Sequence, residues 1–572
     1  METERKLTGY PSIDKPWLKY YSEEAINAPL PDCTIYETIY NGNKEHLADI
    51  ALIYFGKKIS YKVLFEQIDK TAKAFTACGV KNGDNVALCM PAIPETIYAI
   101  LALNKIGANA NMLNPTFTAE QLTDRINDTG ANVLVVINEL YNLLETVIPK
   151  TSINTVIACP AVNSLGVFAK MAKKVKLIPN TVSWNGFIEN GKVAEIVIPP
   201  YTTNSPAIMV YSSGTTGASK GIQLTNTGIN AAIVECGPYT YGFKRKERYF
   251  LQIPVWFSTG IITTGLAPLR YGVCLILEPI YDFDIFDKEI LKYKPNYMIT
   301  ATGLVNHMMT KPQLSKIAKH FICLAIGGEG ITENAEKRIN EWLIESGNPL
   351  KLRKGYGMCE CCGAVTNTEL NCNPLACSGI PTPHVTVSVF DLETGEELKY
   401  GERGEIRVLS PCRMLGYYKN PTETAKYFHT DENGNVWACT GDMGYVTEDG
   451  CVYVCGRISD SYINEKEETI YLFDIDRAVL DVPEVRQCKT VVSEIKNKKI
   501  HVCHITISQD DCADSVIEEV VKHCSIKLAQ NHQPYLFKLY YDSLPVAPSG
   551  KLDSQKMRRD IEGLFNSRSI ER

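Results

Sequence analysis

Short apolar runs alternate with longer stretches whose apolar residues recur at helical spacing over the first part of the chain. Asn85-Val86-Ala87-Leu88-Cys89-Met90 predicts a buried strand, and Pro94 to Ile106 a helix closed by Gly107. A helical pattern opens at Ile59-Ser60-Tyr61 and ends near Cys78-Gly79-Val80, before the turn Lys81-Asn82-Gly83-Asp84. Further short strands are predicted at Val133 to Ile137, Thr155 to Ala158, Met298 to Thr300 and up to Ile326. Strands of this length alternating with helices indicate α/β architecture built on parallel sheets.

The pattern changes twice. From Val385 to Val408 strands alternate closely (VTVSVF, then GEIRVL) around the turn Glu393-Thr394-Gly395-Glu396, which predicts a β-rich subdomain. After Gly456-Arg457 a smaller α+β unit is expected, with strands near Thr490 to Ser493 and Ile500 to Ile507 and a helix from Ser515 to Leu528. The expected division is a large N-terminal domain, 1–457, and a small mobile C-terminal lid, 458–572. Residues 1 to about 45, rich in Pro and aromatics, are expected to lie across a domain surface.

Composition narrows the class. At 45% hydrophobic and 22% charged residues the chain reads as soluble and globular, and a net charge of -6 argues against nucleic acid as a partner. No run of apolar residues is long enough to span a bilayer, and Met1 to Gly9 lacks an apolar signal core, so a cytoplasmic location is expected. The 20 cysteines then read as reduced thiols. Cys359, Cys361, Cys362, Cys372 and Cys377 cluster, but C-x-C-C with wide gaps matches zinc knuckles poorly and fits buried or pocket-lining thiols better. Residues 164–177 carry apolar Leu165, Phe168, Ala172 and Val175 on one helical face and four lysines on much of the other. This pattern suits a solvated surface helix, or a weak contact with an anionic membrane.

The chemistry concentrates in Tyr211 to Gly221, YSSGTTGASKG. Gly214, Gly217 and Gly221 permit the left-handed backbone with which a loop curls its N–H groups round an anion. Ser212, Ser213, Thr215 and Thr216 add hydroxyl donors, and Lys220 adds a point charge suited to phosphate. Ala207 to Val210 is expected as the strand entering the loop, and a helix is expected from Ile222 to Cys236. A P-loop is excluded, because Lys220 follows Ser219 and precedes Gly221.

This stretch closely resembles the phosphate loop of the AMP-forming acyl-CoA synthetases, the adenylating superfamily that includes firefly luciferase and peptide-synthetase adenylation domains. Five more segments follow in that family's order. Gly327-Gly328-Glu329-Gly330 resembles the segment beside adenine. Tyr356-Gly357-Met358-Cys359-Glu360 resembles the family's Y-G-x-T-E, which implies Tyr356 on adenine, position 359 at the α-phosphate and Glu360 on Mg²⁺. Thr440-Gly441-Asp442 implies that Asp442 accepts the ribose hydroxyls, and Gly456-Arg457 that the arginine reaches the ribose. Pro548-Ser549-Gly550-Lys551 implies a catalytic lysine on the lid. Gly404-Glu405-Ile406 and Gly416 to Pro421 match further positions read as structural.

The resemblance, most like the fatty acyl-CoA ligases, implies attack of a carboxylate on the α-phosphate of Mg-ATP. Thr216, Glu360 and Lys551 would serve that step, after which the lid rotates and coenzyme A takes the acyl group. Trp256, Phe257 and Gly303 would line the acyl pocket, with Phe257 where many relatives have a gating histidine. Ser459 and Asp460 fall at the hinge. Two departures are visible: Cys359 stands where threonine is usual, and Glu467 lies nearest the position of a lid-loop glycine. They leave open a carrier-protein phosphopantetheine as acceptor (an acyl carrier protein as partner), or a nucleotide-binding relative without catalysis.

Overall fold

The computed structural model describes residues 7–165, 181–212, 219–328, 330–363, 365–464, 467–495, 498–545 and 552–567. Among them, two large sheets share one design. The first has six parallel strands, in the order Pro206–Tyr211, Asn109–Met112, Asn85–Cys89, Val133–Ile137, Thr155–Cys159 and Val182–Ser183. The second also has six, in the order Arg353–Tyr356, Cys323–Gly327, Tyr297–Thr300, Arg248–Leu251, Cys274–Leu277 and Ile50–Tyr54. Antiparallel strands complete the edges of both. The parallel strands are buried on both faces, which is why they read as continuous apolar runs.

The helices follow the sequence signals closely. Tyr61–Ala77 starts at Ser60, whose hydroxyl accepts from the Val63 N–H. Glu333–Glu345 is capped in the same way by Thr332, and Pro94–Lys105 ends before Gly107, whose φ is 76°.

Two expectations need correction. No helix begins at Ile222. Gly221–Thr225 is a strand antiparallel to Pro206–Tyr211, and the helix is Asn226–Glu235, capped by Thr225. Ile222 and Leu224 alternate with polar neighbours and pair with Val210 and Ile208, so the pleat's period of two prevails over the helical one. The leading segment is also more than a surface strap. Ile35–Asn43 is a helix with a Thr34/Glu37 capping box, and Ile35 and Ile39 are fully buried in the main core. Trp17 is likewise fully buried, packed with Cys372, Cys377 and Cys451.

A five-stranded sheet, Thr386–Phe390, Gly404–Leu409, Val436–Val446, Phe428–Thr430 and Val452–Arg457, forms the expected β-rich part. Beyond it, Gln487–Ile495, Lys498–Thr506, Leu536–Tyr540 and Phe565–Asn566 form a four-stranded sheet. Helices Leu472–Leu480 and Ala513–Lys527 pack with it round an apolar core of their own, running from Ile470 to Phe537. Gly456 lies where these parts touch: a Cβ there would come within 2.5–2.7 Å of the Phe473 side chain. The amphipathic segment noted at 164–177 lies outside the described residues from 166 onward. Among the described residues no helix is long and apolar enough to cross a membrane.

Candidate functional site

The glycine-rich stretch leaves one strand of a hairpin and returns in the other. Ser212 and Lys220 close its stem: the Ser212 N–H donates to the Lys220 carbonyl (3.2 Å), and the Lys220 N–H to Ser212 Oγ (3.3 Å). Ser219 Oγ donates back to the Ser212 carbonyl at 2.5 Å. Ser213, Gly214, Thr215, Thr216 and Gly217 lie outside the described residues, as do Glu329 and Lys551.

The stem lysine is held in place. Lys220 Nζ pairs with Glu423 and sits 4.8 Å above the Tyr417 ring. The Tyr417 hydroxyl in turn donates 2.9 Å to Glu360 Oε1. Tyr417 thus couples the loop stem to the carboxylate of the Tyr356–Glu360 segment. Sequence reading assigned Gly416 to Pro421 only a structural part, and no spacing signal marks a contact made across 57 residues. The Met414 N–H donates to the Glu360 carbonyl (2.7 Å) and fixes the turn from the same side.

A second group forms where Val436–Val446 meets Val452–Arg457, with Asp442 opposite Arg457 in the register. Arg457 Nε lies 3.0 Å from Asp442 Oδ1, and Arg457 NH1 donates to the Thr440 carbonyl at 2.8 Å. The Tyr356 hydroxyl donates to Asp442 Oδ2 at 2.5 Å. Burial pushes the Asp442 carboxyl up, while the Arg457 guanidinium and the Tyr356 hydroxyl pull it back; the net shift is upward. A carboxylate has about four lone-pair sites, so these two donors leave acceptor capacity for a vicinal diol.

The glycines expected beside adenine are open. Gly328 has a φ of 81°, and a Cβ at Gly328 or Gly330 would meet nothing within 4 Å. The same holds for Gly303. Gly357 and Cys359 continue from the strand Arg353–Tyr356, with the half-buried Cys359 packed against the main core.

The residues expected to line the acyl pocket emerge at a topological switch point. The strand Arg248–Leu251 has Cys274–Leu277 on one side and Tyr297–Thr300 on the other, so chain order reverses there. Ligand crevices open beyond the carboxyl ends of such strands. The segments emerging there carry Trp256 and Phe257, whose ring centroids are 6.2 Å apart, and Gly303. Phe257 leads into a π-helical stretch, Thr259–Leu266, a form that recurs at functional sites. Gly260 is required within it, since a Cβ would fall 1.9 Å from the Pro254 carbonyl oxygen. A Cβ at Gly363 would lie 3.1 Å from the Thr259 N, so the Glu360 turn and the Phe257 segment are neighbours.

At the expected hinge, Asp460 belongs to the C-terminal side. Its carboxylate pairs with Lys489 at 2.5 Å, and its carbonyl accepts from the Leu472 N–H. Ser459, between it and Arg457, is exposed. The segment holding Lys551 is closed at its base by the Asp553 N–H on the Pro545 carbonyl, at 2.8 Å.

The sequence signature of the AMP-binding enzymes matches residues 41–418. The chain belongs to the AMP-forming acyl-CoA synthetase superfamily. By family it is an ATP-dependent, AMP-forming acid–CoA ligase. It is 24% identical to a long-chain-fatty-acid–CoA ligase of Yersinia pestis over 96% of this chain and 98% of that one. It is 27% identical to the Bacillus subtilis enzyme of the same name, over 85% and 89%. The fold is that of the anthranilate CoA ligase AuaEII in complex with anthranoyl-AMP (TM-score 0.79, 18% identity, 94% of this chain and 98% of that one). It is equally that of ATP-bound MatB from Rhodopseudomonas palustris (TM-score 0.79, 19% identity, 93% and 99%).

Proposed function

We propose that this ligase activates a fatty or other apolar carboxylic acid as its acyl-adenylate and then transfers the acyl group to coenzyme A, acting in the cytoplasm. The observation that carries the reading is the joining of two groups through one segment. Tyr356 reaches Asp442 and Arg457, while Glu360, four residues on, reaches Tyr417 and through it the lysine of the loop stem. A ribose acceptor and an anion-binding loop are thereby tied to the two ends of Tyr356–Glu360, as a nucleotide lying along that segment requires.

In this reading the backbone beside Gly328 and Gly330 takes adenine, Asp442 and Arg457 take the ribose, and loop 212–220 takes the phosphates. Glu360 suits Mg²⁺, since a carboxylate oxygen is the hard ligand that this ion takes. The ion would neutralise charge on the phosphate oxygens. Lys551 comes from the lid to the bridging oxygens, where a cation stabilises the charge that grows as pyrophosphate leaves. Arg457/Ile458 is taken as the domain boundary, because Arg457 is bound to the large part and Asp460 to the small one. Apolar Trp256 and Phe257 at the switch point, together with the names of the curated relatives, support an apolar acid.

One observation bears on the acceptor. Glu467 holds a φ of 63° in the lid loop, a left-handed conformation in the place where the family's glycine is expected. A carboxylate there alters the approach of the thiol, which keeps a carrier-protein phosphopantetheine in view as a second acceptor. The test is acid-dependent pyrophosphate exchange over aliphatic, aryl and amino acids, followed by product analysis with CoA and with a holo carrier protein. Exchange with an apolar acid and a CoA thioester as product is the expected result. Exchange without CoA consumption would transfer the assignment to the carrier, and nucleotide binding without any exchange would remove catalysis altogether.

A further inference from the structure

Cys372 and Cys377 meet Cys451, more than seventy residues further on, under the leading segment. Cys372 Sγ and Cys451 Sγ are 3.3 Å apart and both residues are buried. Cys377 packs in the same buried cluster, and its sulfur accepts from the Gly379 N–H at 3.0 Å. None of the three belongs to the nucleotide or acyl groups described above. The pair is not sealed off: Cys372 and Cys451 line a cavity of about 310 Å³ with Tyr20, Leu370, Asn371 and Asp449.

We propose that Cys372 and Cys451 form a reversible disulfide by exchange with a low-molecular-weight disulfide that enters this cavity. The sulfurs need to close by only about 1.3 Å to reach bonding distance, roughly 2.05 Å. Cys372 is held well above the ordinary thiol range, chiefly by Cys451, and Cys451 is itself pushed up to about 12, so both thiols are protonated at neutral pH and the exchange should quicken as pH rises. Exchange requires a thiolate as attacking group. Cys451 gives up its proton to solvent in the cavity, and its thiolate attacks one sulfur of the incoming disulfide, expelling the other half as a thiolate. Cys372 then gives up its proton, attacks the Cys451 sulfur and expels the second half. The two leaving thiolates take up the protons shed by Cys451 and Cys372. Two protein S–H groups and one R–S–S–R thus become one protein S–S bond and two R–S–H.

The bond would join the loop around Cys372 to the turn that ends in Cys451. That turn is continuous with Val452, whose N–H donates to the Gly379 carbonyl and whose carbonyl accepts from the Ser378 N–H. Ser378 accepts from Thr366 Oγ1, which itself accepts from the Tyr356 N–H. The crosslink therefore clamps the strands on which Tyr356 is carried.

The full chain is treated with glutathione disulfide or with dithiothreitol, alkylated in denaturant, and mapped by mass spectrometry. The expected result is a linked Cys372–Cys451 peptide only in the oxidised sample, with two fewer titratable thiols. Cys372→Ser should trap one glutathionyl group on Cys451. Cys377→Ser should leave the Cys372–Cys451 link in place, and a link made through Cys377 in the unmutated protein would overturn the pairing. Cys512, the exposed thiol, is the internal control. Glutathionylation of Cys512 with Cys372 and Cys451 both alkylated would overturn the proposal, and that outcome is read on the unmutated protein.

Discussion

The Tyr356 hydroxyl donates to Asp442 Oδ2 at 2.5 Å, so the residue expected against adenine and the residue expected at the ribose are one hydrogen-bonded unit. Arg457 completes it from the other oxygen, 3.0 Å away. Tyr356→Phe keeps the ring and removes the donor. A hydrogen bond to a charged group contributes about 1.5–3 kcal/mol, so ATP binding should weaken about tenfold or more. Asp442→Ala, which removes the acceptor itself, should weaken it further. Titration calorimetry with ATP reads both, and unchanged affinity in Tyr356→Phe would mean the pair is only structural.

Lys551 acts, in the proposed reading, on a charge that grows only in the transition state. Lys551→Ala should therefore abolish acid-dependent pyrophosphate exchange and leave the ATP dissociation constant within about twofold, since transition-state interactions move rate rather than ground-state binding. Near-normal exchange would remove the lysine from the chemistry.

Glu467 occupies a left-handed φ of 63° with a side chain that disfavours it. Glu467→Gly should relieve about 1 kcal/mol of backbone strain. It should raise the rate of acyl transfer from a preformed adenylate to CoA without changing pyrophosphate exchange. Single-turnover transfer from the isolated adenylate separates the two half-reactions, and an unchanged transfer rate would clear Glu467 of any influence on the thiol.

Glu278 ends the strand Cys274–Leu277 almost fully buried, and burial raises its carboxyl to about 7. A carboxyl that holds its proton more tightly folded than unfolded stabilises the fold fully below the unfolded pKa of 4.5, and that stability is lost as pH rises through about 7. Glu278→Gln removes the titration. Above neutral pH it should be the more stable protein by roughly 3 kcal/mol, and chemical denaturation at acid and alkaline pH should show the wild type alone losing stability across that window.

Local order was legible along the chain because local forces set it. The parallel strands around Asn85 and Val133 and the helix opening at Ser60 follow from side-chain period and capping chemistry, while the order of the nucleotide motifs was legible through the family resemblance. The strand at Gly221–Thr225 was not legible as a strand, because its stability comes from pairing with Pro206–Tyr211 across a loop. Contacts over long separations lay beyond the sequence for the same reason. Tyr417 on Glu360, Lys220 on Glu423, Asp442 on Arg457 across a hairpin, and the meeting of Cys372 with Cys451 are products of sheet register and packing. Residue types and their order announce which chemistry a chain carries. Only burial in the folded core decides which of those residues share a hydrogen bond, because the low dielectric and fixed geometry that make such bonds matter exist nowhere else.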